Sequence, residues 1–321
     1  MTDRVHRIGA IGLGGIGRAT LSSMAAHSNY ELICGWDPDE AACAALQKIR
    51  PEMEIAASAN AVIDDPRTTA IYVASPPLTH AAYVRAIAQR DKCIFCEKPL
   101  GVNVAESEAL VALVADRGVP NVINFNHSNA TASCYLESEL ACGAMGDITG
   151  VDIFIHLTQW PRDFQAHATW LKSRQQGGFT REMLSHWIYL TQRLFGEGTI
   201  KSRQVHFPSN PEHSEVRLLA ELEFGGIPTV INAAIGGAGP VGTDYTVWGR
   251  QKSLKMQSGG RISSSHGEAW QQELTGIANV TQMDMSRNIA AAARAFSREQ
   301  VKVPTLADGL AVQKIVEALI A

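Results

Sequence analysis

Hydrophobic positions follow two alternating periods along the first third of the chain. Short apolar runs of the kind that form strands are separated by longer segments with the 3.6-residue spacing of helices. Strands that alternate with helices predict a parallel sheet covered by helices. The predicted strands are residues 8–11, 30–36, 70–74, 93–96 and 120–125, and helices are predicted after Gly17 and over 39–48, 78–90 and 106–115.

The pattern changes after about residue 126. A helix over 131–142 leads into a long alternating run at 148–157, and strand-like segments then follow one another between turns such as Gly225-Gly226. This succession of strand-like segments predicts an α+β domain with a mixed or antiparallel sheet. Its further predicted strands are 201–207, 216–224, 228–235, 245–249 and 253–257, and its later helices run to residue 195 and over 283–296 and 306–319.

Length and charge narrow the possibilities. A chain of 321 residues favours two domains, which we place at residues 1–126 and 127–321. The 28 basic and 32 acidic residues give a net charge of −4, which offers no electrostatic argument for nucleic acid or anionic lipid. No apolar stretch reaches the length of a membrane span. The first strand begins too early to leave room for a signal peptide, so we expect a cytoplasmic protein.

The strongest local motif is a glycine turn between the first strand and the first helix. Gly12 lets the strand turn sharply, Gly14 lets the backbone approach a pyrophosphate, and Gly17 lets the helix pack closely. Tight packing alone is the alternative explanation. The predicted dinucleotide-binding turn consists of Gly12, Leu13, Gly14, Gly15, Ile16 and Gly17.

Asp37 ends the second predicted strand, twenty residues after Gly17. A carboxylate at this position accepts hydrogen bonds from the ribose 2′-OH of NAD and repels the 2′-phosphate of NADP. NAD is therefore predicted in preference to NADP, although Arg18 could soften that bias. Asp37 could alternatively cap the helix that begins near Pro38.

Polar residues stand at the carboxyl ends of three further predicted strands, where open parallel sheets bind their ligands. No spacing groups histidines with acids or cysteines as a metal site, so we predict none. Cys93 and Cys96 lie in one strand and point to opposite faces, which disfavours a redox or zinc pair. The strand-end residues are Ser75, Pro76 and His80, then Glu97 and Lys98, then Asn126 and His127.

The glycine turn, Asp37, the Pro76-Pro77…His80 stretch and Glu97-Lys98-Pro99 resemble the Gfo/Idh/MocA family of NAD(P)-dependent oxidoreductases. The resemblance runs through the whole chain. It implies a doubly wound Rossmann domain followed by an α+β domain with a large open-faced, mostly antiparallel sheet. It also implies that Lys98 contacts substrate and cofactor and that the peptide before Pro99 is often cis.

The open sheet face implies a homodimer or homotetramer, because an apolar face must be covered. We expect the strands around 216–222 and 229–231 to provide that face.

A second motif follows Gly177-Gly178 at the start of a helix. Glu182 and His186 are four residues apart and share one helical face, so that a carboxylate can orient an imidazole. His186 matches the family's histidine, whereas Glu182 stands where the family usually has aspartate. The glycine-rich start of this helix is expected to permit close approach in the cleft that holds the nicotinamide.

Two further departures from the family concern possible substrate contacts. Thr180-Arg181 replaces residues that are commonly apolar, and His127 lies near a position that is often arginine. Arg181 is either solvated on the helix surface or faces the substrate together with Arg162. In the second case the substrate carries a carboxylate. Asn126, His127, Arg162 and Arg181 are thus the candidate substrate residues.

Together these features predict an oxidoreductase that transfers a hydride between nicotinamide and a carbon bearing oxygen in a small polar substrate. His186, oriented by Glu182, would take the hydroxyl proton, and Lys98 would stabilise the developing oxyanion. We expect all three to meet in one cleft beside the nicotinamide. Chemistry at a C=N bond and a non-catalytic NAD-binding sensor remain the alternatives.

Overall fold

The computed structural model describes residues 4–276 and 280–321. The chain divides into two compact units. The first contains residues 4–128 and 285–310, and the second contains the remaining described residues. A late segment of the chain therefore belongs to the first unit.

The first unit is built on a six-stranded sheet in which every pair of neighbours is parallel. Its strands are β1 (His6–Ile11), β2 (Tyr30–Trp36), β3 (Glu54–Ile55), β4 (Ala70–Val73), β5 (Cys93–Cys96) and β6 (Asn121–Ile123). The strand order is β3-β2-β1-β4-β5-β6, so the chain moves outward from β1 on one side and then returns to its other side at β4. The predicted doubly wound Rossmann sheet is confirmed.

Five helices connect these strands. They are α1 (Gly15–Met24), α2 (Glu40–Ile49), α3 (Ala59–Asp64), α4 (Pro77–Ala88) and α5 (Val104–Asp116). The sequence pattern did not reveal β3 and α3, because a strand of two residues and a helix of six are too short to show a hydrophobic period.

The second unit contains an eight-stranded sheet. Its strands are β7 (Ile148–Leu157), β8 (Gly198–His206), β9 (Arg217–Phe224), β10 (Ile227–Ile235), β11 (Gly242–Gly249), β12 (Ser253–Gln257), β13 (Arg261–Ser265) and β14 (Gln271–Glu273). The order is β14-β13-β12-β11-β7-β10-β9-β8, and only the β7–β10 pair is parallel. The predicted, mostly antiparallel sheet is confirmed. The polar strands β13 and β14 were not predicted, because serine and glutamine replace the apolar alternation.

Helices α6 (Thr131–Ala141) and α7 (Ser185–Phe195) belong to this unit, and α7 packs on the inner face of the sheet. The Trp187 ring stacks on Tyr245 of β11 with a centroid distance of 5.1 Å. The Thr191 hydroxyl lies 3.1 Å from the Tyr245 hydroxyl. The helix that carries His186 is thus fixed to the sheet by side chains of its first two turns.

The outer face of the sheet differs from the prediction. Leu218, Ala220 and Leu222 of β9 are buried on the inner side, so the expectation that this strand offers an exposed apolar face is wrong. Strand alternation places Arg217, Leu219 and Glu221 on the outer side instead. The large exposed apolar side chains of the outer face come from other strands: Phe154 of β7, Val230 of β10 and Trp248 of β11.

The last two helices are α8 (Val280–Phe296) and α9 (Leu306–Ile320). We predicted that α8 completes the second domain, but Ile289 and Phe296 are buried in the core of the first unit. The Tyr30 hydroxyl donates to the Ile289 carbonyl oxygen at 2.8 Å. The apolar stripe of α8 packs against the Rossmann sheet. The hydrophobic period of a segment predicts the helix but not the domain against which the helix packs.

Candidate functional site

Two glycines of the turn between β1 and α1 are fixed by backbone packing, and a third is open. Gly12 has a φ of +96°, and a Cβ on it would lie 2.4 Å from the carbonyl carbon of Ala74. A Cβ on Gly17 would lie 2.3 Å from the carbonyl oxygen of Gly12. A Cβ on Gly14 would meet nothing within 4 Å. The turn is therefore packed tightly behind Gly12 and leaves room for a ligand at Gly14.

The N-terminus of α1 offers its backbone to an anion. Gly14 is the N-cap and provides no capping side chain, and the first turn contains no acidic residue. The N–H groups of a first helical turn lack intrahelical acceptors and carry partial positive charge. The Leu13 side chain is buried, while Gly15 is partly exposed and Ile16 is 52% exposed. The turn therefore fits the diphosphate of a dinucleotide, held by backbone N–H groups.

The carboxylate of Asp37 is anchored beside this turn. One oxygen accepts from the Leu13 backbone N–H at 2.7 Å, and the other accepts from the Asp39 backbone N–H at 2.9 Å. Asp39, not Asp37, caps α2 by accepting from Ala41. The helix-cap alternative for Asp37 is therefore wrong, since the cap lies two residues later. Arg18 donates to the Leu13 carbonyl oxygen at 2.6 Å, which holds its guanidinium against the turn.

The carboxyl ends of β4 and β5 are joined by a buried histidine. The His80 ring nitrogens lie 2.7 Å from the Ser75 carbonyl oxygen and 2.9 Å from the Pro99 carbonyl oxygen. The ring is fully buried, and this burial lowers the pKa of His80. The predicted contact between His80 and the cofactor is therefore corrected, because the side chain supports the strand ends from within. Ser75 and Pro76 are partly exposed at this edge.

Glu97 and Lys98 follow β5 directly. The Glu97 carboxylate is 8% exposed, and its Oε1 accepts from the Tyr72 hydroxyl and from the Asn124 side-chain amide, both at 2.7 Å. Burial, with the Glu97 charge, raises the pKa of Tyr72 and keeps its hydroxyl protonated as a donor. Lys98 is partly exposed and forms a cis peptide bond with Pro99.

Asn124 was missed from the sequence, although its position directly after β6 matches that of the other strand-end residues. The two predicted residues at this end lie further along. Asn126 is exposed, and its carbonyl oxygen accepts from Asn288 at 3.3 Å. Desolvation lowers the pKa of His127 to about 4. His127 is therefore neutral near pH 7 and does not supply the charge that an arginine would.

In the second unit, Gly177 and Gly178 are required by protein packing. A Cβ on Gly177 would lie 2.3 Å from the Leu171 carbonyl oxygen. Gly178 has a φ of +102°, and a Cβ there would lie 2.5 Å from the Glu215 carboxylate. Both glycines are therefore required by contacts with protein atoms, which occupy the space beside them.

Glu215 was also missed, since nothing in its local sequence marks it. Its carboxylate is 1% exposed and accepts from the Thr180 backbone N–H at 2.8 Å. Desolvation raises the pKa of Glu215. The carboxylate thus satisfies a backbone N–H at the start of the helical segment that leads into α7.

Glu182 lies in a π-helical turn, Thr180–Leu184, and His186 lies in the first turn of α7, where it is 8% exposed. The Glu182 Oε1 accepts from the side-chain amide of Gln165 at 3.1 Å. Gln165 is buried and was not predicted, because it lies in a 3₁₀ helix of three residues, Asp163–Gln165, that carries no sequence motif. Lys98 belongs to the first unit and the other two to the second, so their meeting in one cleft stays a prediction.

Arg162 extends this arrangement. Its Nε donates to the Gln165 side-chain oxygen at 2.8 Å, so that one amide connects Arg162 with Glu182. The guanidinium carbon lies 4.6 Å from the centroid of the Phe164 ring. Burial lowers the pKa of Arg162, and the Glu182 charge opposes that effect.

Arg181 behaves differently from both predicted alternatives. It is 6% exposed, and its Nε and Nη2 donate to the two oxygens of Glu317 at 2.6 and 2.7 Å. Its Nη1 donates to the carbonyl oxygens of Arg174 and Gly177 at 2.9 and 2.8 Å. Arg181 is therefore neither solvated nor open to a substrate, because a buried guanidinium needs a counter-charge and finds one within the unit.

Comparison with known proteins decides the family. The profile described as "Oxidoreductase family, NAD-binding Rossmann fold" matches residues 6–125, and that described as "Oxidoreductase family, C-terminal alpha/beta domain" matches residues 138–321. The chain belongs to the Gfo/Idh/MocA family. The predicted NAD-binding Rossmann domain is thereby confirmed.

Curated members of the Gfo/Idh/MocA family with similar sequences include two dehydrogenases. Levoglucosan dehydrogenase of Pseudarthrobacter phenanthrenivorans is 30% identical over 138 residues, which cover 42% of this chain and 35% of the relative. Inositol 2-dehydrogenase of Acidothermus cellulolyticus is 34% identical over 149 residues, which cover 45% of this chain and 43% of the relative. The chain thus spans less than half the length of these curated relatives.

A solved structure shares its fold with this chain over almost the whole length. Levoglucosan dehydrogenase in complex with NADH and levoglucosan superimposes with a TM-score of 0.85 at 18% identity. The match covers 99% of this chain and 96% of that one. At this identity the similarity establishes the fold.

Within residues 4–276 and 280–321, no group of three or more His, Cys, Asp or Glu side chains is arranged to hold a metal ion. Over the same residues, no helix combines the length and apolar character that a membrane span requires.

Proposed function

We propose that the protein is an NAD-dependent dehydrogenase or reductase acting at a hydroxyl-bearing or carbonyl carbon of a small polar substrate, such as a sugar, polyol or hydroxy acid. The observation that carries this proposal is the glycine turn, open at Gly14 and bordered by the anchored carboxylate of Asp37. The names of the relatives, levoglucosan dehydrogenase and inositol 2-dehydrogenase, support the same class. NAD, when bound, supplies the hydride acceptor or donor.

The proposed cofactor site lies in the first unit. Residues 1–126 form the dinucleotide-binding domain, with α8 added to its core, and residues 127–321 otherwise form the substrate domain. His80 acts indirectly, by holding two strand ends together. The residues that hold NAD are Gly12, Leu13, Gly14, Gly15, Ile16, Gly17, Asp37, Ser75, Pro76, Glu97 and Lys98.

The proton is handled by two side chains in this proposal. In the oxidation direction His186 takes the proton of the substrate hydroxyl, and the Lys98 ammonium stabilises negative charge as it develops on that oxygen. Glu182 favours the protonated imidazole through its charge. The Gln165 side-chain amide donates to Glu182 Oε1 at 3.1 Å and so helps to orient this carboxylate.

Absorbance of reduced nicotinamide tests the proposal. The purified protein is mixed with NAD or NADH and with a panel of sugars, polyols, hydroxy acids, their carbonyl forms and imines. Turnover of at least one hydroxyl or carbonyl compound is expected. Turnover of imines alone would favour C=N chemistry, and tight NAD binding without any turnover would favour a sensor.

Asp37→Ala is expected to weaken NAD binding roughly 10- to 100-fold, because a hydrogen bond to a charged group is worth about 1.5–3 kcal/mol. NADP binding should weaken less, since the same substitution removes a charge that repels the 2′-phosphate. Titration of the protein with each cofactor by intrinsic fluorescence measures both affinities.

Asp39→Ala is the matched control for this experiment. Asp39 is a neighbouring carboxylate that caps α2, so its loss should leave the ratio of NAD to NADP affinity unchanged. Tighter or equal binding of NADP by the wild-type protein would contradict the proposed role of Asp37.

We propose that the protein is a homodimer or homotetramer that buries the outer face of the second sheet. Phe154, Val230 and Trp248 are 44%, 47% and 38% exposed on this face. Val230 pairs with Asp152, and the Trp248 indole donates to the Asp152 carboxylate at 2.8 Å, so these side chains form one patch with Phe154. A patch of large apolar side chains favours association.

Light scattering after size exclusion is expected to give two or four times the chain mass. Phe154→Lys should shift the distribution toward monomer, because a charge in a buried apolar interface is costly. Lys201→Glu, at an exposed ion pair on the edge strand β8, serves as the charge-change control. A monomeric wild-type protein at micromolar concentration would contradict this proposal.

We also propose a cytoplasmic location. All six cysteines are free thiols, as expected in a reducing compartment.

A further inference from the structure

We infer that Arg162 forms an anion subsite, so that the substrate of the proposed dehydrogenase carries a carboxylate. The subsite takes a sugar acid or hydroxy acid in preference to the neutral polyol of the same length. This inference rests on the proposed function and specifies its substrate class.

The guanidinium of Arg162 is held on one edge and one face. Its Nε donates to the Gln165 side-chain oxygen at 2.8 Å, and its guanidinium carbon lies over the Phe164 ring, 4.6 Å from the centroid. Within the described part of the chain, its terminal nitrogens Nη1 and Nη2 have no hydrogen-bond or ion-pair partner, and they are not sealed from solvent. A planar fork of donors is thus fixed in orientation and left open at its end.

The other buried arginines of the second unit show what such a fork normally binds. Arg181 donates to both oxygens of Glu317 at 2.6 and 2.7 Å, and Arg193 donates to both oxygens of Glu137 at 2.5 and 2.9 Å. Each guanidinium is matched by a carboxylate in the bidentate geometry that favours this pair. Arg162 is partly buried in the same unit but lacks that match. A carboxylate from the substrate would complete it.

The electrostatics of Arg162 agree with this geometry. Burial lowers the pKa of Arg162, and the charge of Glu182 is what opposes the effect. That charge acts across the Gln165 amide rather than in direct contact. An additional anion at the terminal nitrogens would therefore stabilise the guanidinium.

The charge balance favours a carboxylate over a phosphate. One guanidinium, already close to the negative charge of Glu182, suits a monoanion with two coplanar oxygens. The Glu182 carboxylate would repel a phosphate dianion more strongly than a monoanion, and a single guanidinium compensates only one of the two phosphate charges.

Gln165 gives the subsite a fixed relation to the proposed chemistry. Its amide oxygen faces Arg162 and its amide nitrogen faces Glu182, so a reversed amide would set like groups against each other at both ends. The orientation of Arg162 is therefore coupled to that of Glu182. A substrate carboxylate on Arg162 is held beside one of the residues that we propose for proton handling.

Matched substrate pairs test the inference. In each pair a carboxylate is replaced by a hydroxymethyl group: gluconate and sorbitol, glycerate and glycerol, lactate and propane-1,2-diol. Wild-type protein is expected to show a higher kcat/KM for the acid of at least one pair. Arg162→Gln should lower kcat/KM roughly 10- to 100-fold more for that acid than for its neutral partner, because only the acid loses charged hydrogen bonds to the guanidinium. For the same acid, kcat/KM of Arg162→Lys should lie between the values of the wild type and Arg162→Gln, because lysine keeps the charge but lacks the planar fork of donors.

Arg174→Gln is the matched control, since Arg174 also stacks on an aromatic ring, Phe207, at 3.7 Å but is exposed. This substitution should leave kcat/KM unchanged for both the acid and the neutral member of each pair. Preference of the wild type for the neutral members, or equal losses on both members in Arg162→Gln, would overturn the inference while leaving the dehydrogenase proposal intact.

Absence of turnover on every pair would count against the proposed function instead. The subsite is then judged by calorimetric binding of gluconate to the NAD-loaded protein. Binding that Arg162→Gln weakens supports the subsite, and absent or unchanged binding overturns it.

Discussion

Replacing His186 with alanine is expected to lower kcat about 10²–10⁴-fold, the range that a positioned general acid or base contributes. His186 is held in the first turn of α7, a helix fixed to its sheet by the stacking of Trp187 on Tyr245. Its task begins when the substrate hydroxyl releases a proton, so NAD affinity should change little. Steady-state kinetics on a substrate identified from the panel, together with NAD titration, measure both quantities.

His167→Ala is the control, because His167 is an exposed histidine of the same unit and should leave kcat unchanged. Lys98→Ala should also lower turnover far more than NAD affinity, since its role appears as charge develops on oxygen. The double variant should be less impaired than the product of the single effects, because residues that serve one step are not additive. Near wild-type rates in both single variants would contradict the roles assigned to His186 and Lys98.

Replacing Arg181 with methionine is expected to lower the free energy of unfolding by about 3 kcal/mol or more, the cost of leaving a buried carboxylate unpaired. Its side chain is 7% exposed and that of its partner Glu317 is 18% exposed, so water screens the pair poorly. Urea unfolding followed by tryptophan fluorescence measures the loss. The double variant Arg181→Met/Glu317→Leu should recover part of it, because neither charge then remains buried.

The exposed pair between Lys201 and Glu223 provides the comparison. Its side chains are 51% and 43% exposed at an N–O distance of 3.1 Å. Lys201→Ala should cost no more than about 1 kcal/mol, as is usual for surface ion pairs. Equal losses in the Arg181 and Lys201 variants would show that Arg181 does not stabilise the unit in the way its contacts indicate.

Features that depend on neighbouring residues could be predicted from the sequence. Five of the six strands of the first sheet, all except β3, follow from apolar runs, and the glycine turn follows from the spacing of Gly12, Gly14 and Gly17. The change to an antiparallel sheet follows from the long alternation in β7. In each case the physical cause lies within about ten residues of the element it shapes.

Features that depend on distant partners could not be predicted. Arg181 looked like a surface or substrate residue because its carboxylate partner, Glu317, lies 136 residues away. Glu215 reaches Thr180 across 35 residues, and Gln165 reaches Glu182 across 17 residues that form only short helical turns. Polar side chains of this kind acquire a role only when the fold brings their partners close, so periodicity and motif spacing do not reveal them.

At the edge formed by the carboxyl ends of β4 and β5, different residues fix the backbone and provide the functional groups. His80 fixes the backbone at Ser75 and Pro99 from a fully buried position, while Ser75 and Lys98 are partly exposed at the same edge. Substitutions at exposed positions usually cost little stability, whereas changes to a buried hydrogen-bonded side chain cost much more. A substitution of Ser75 or Lys98 is therefore expected to alter binding or turnover with little loss of stability, whereas a substitution of His80 would disturb the backbone that positions both residues.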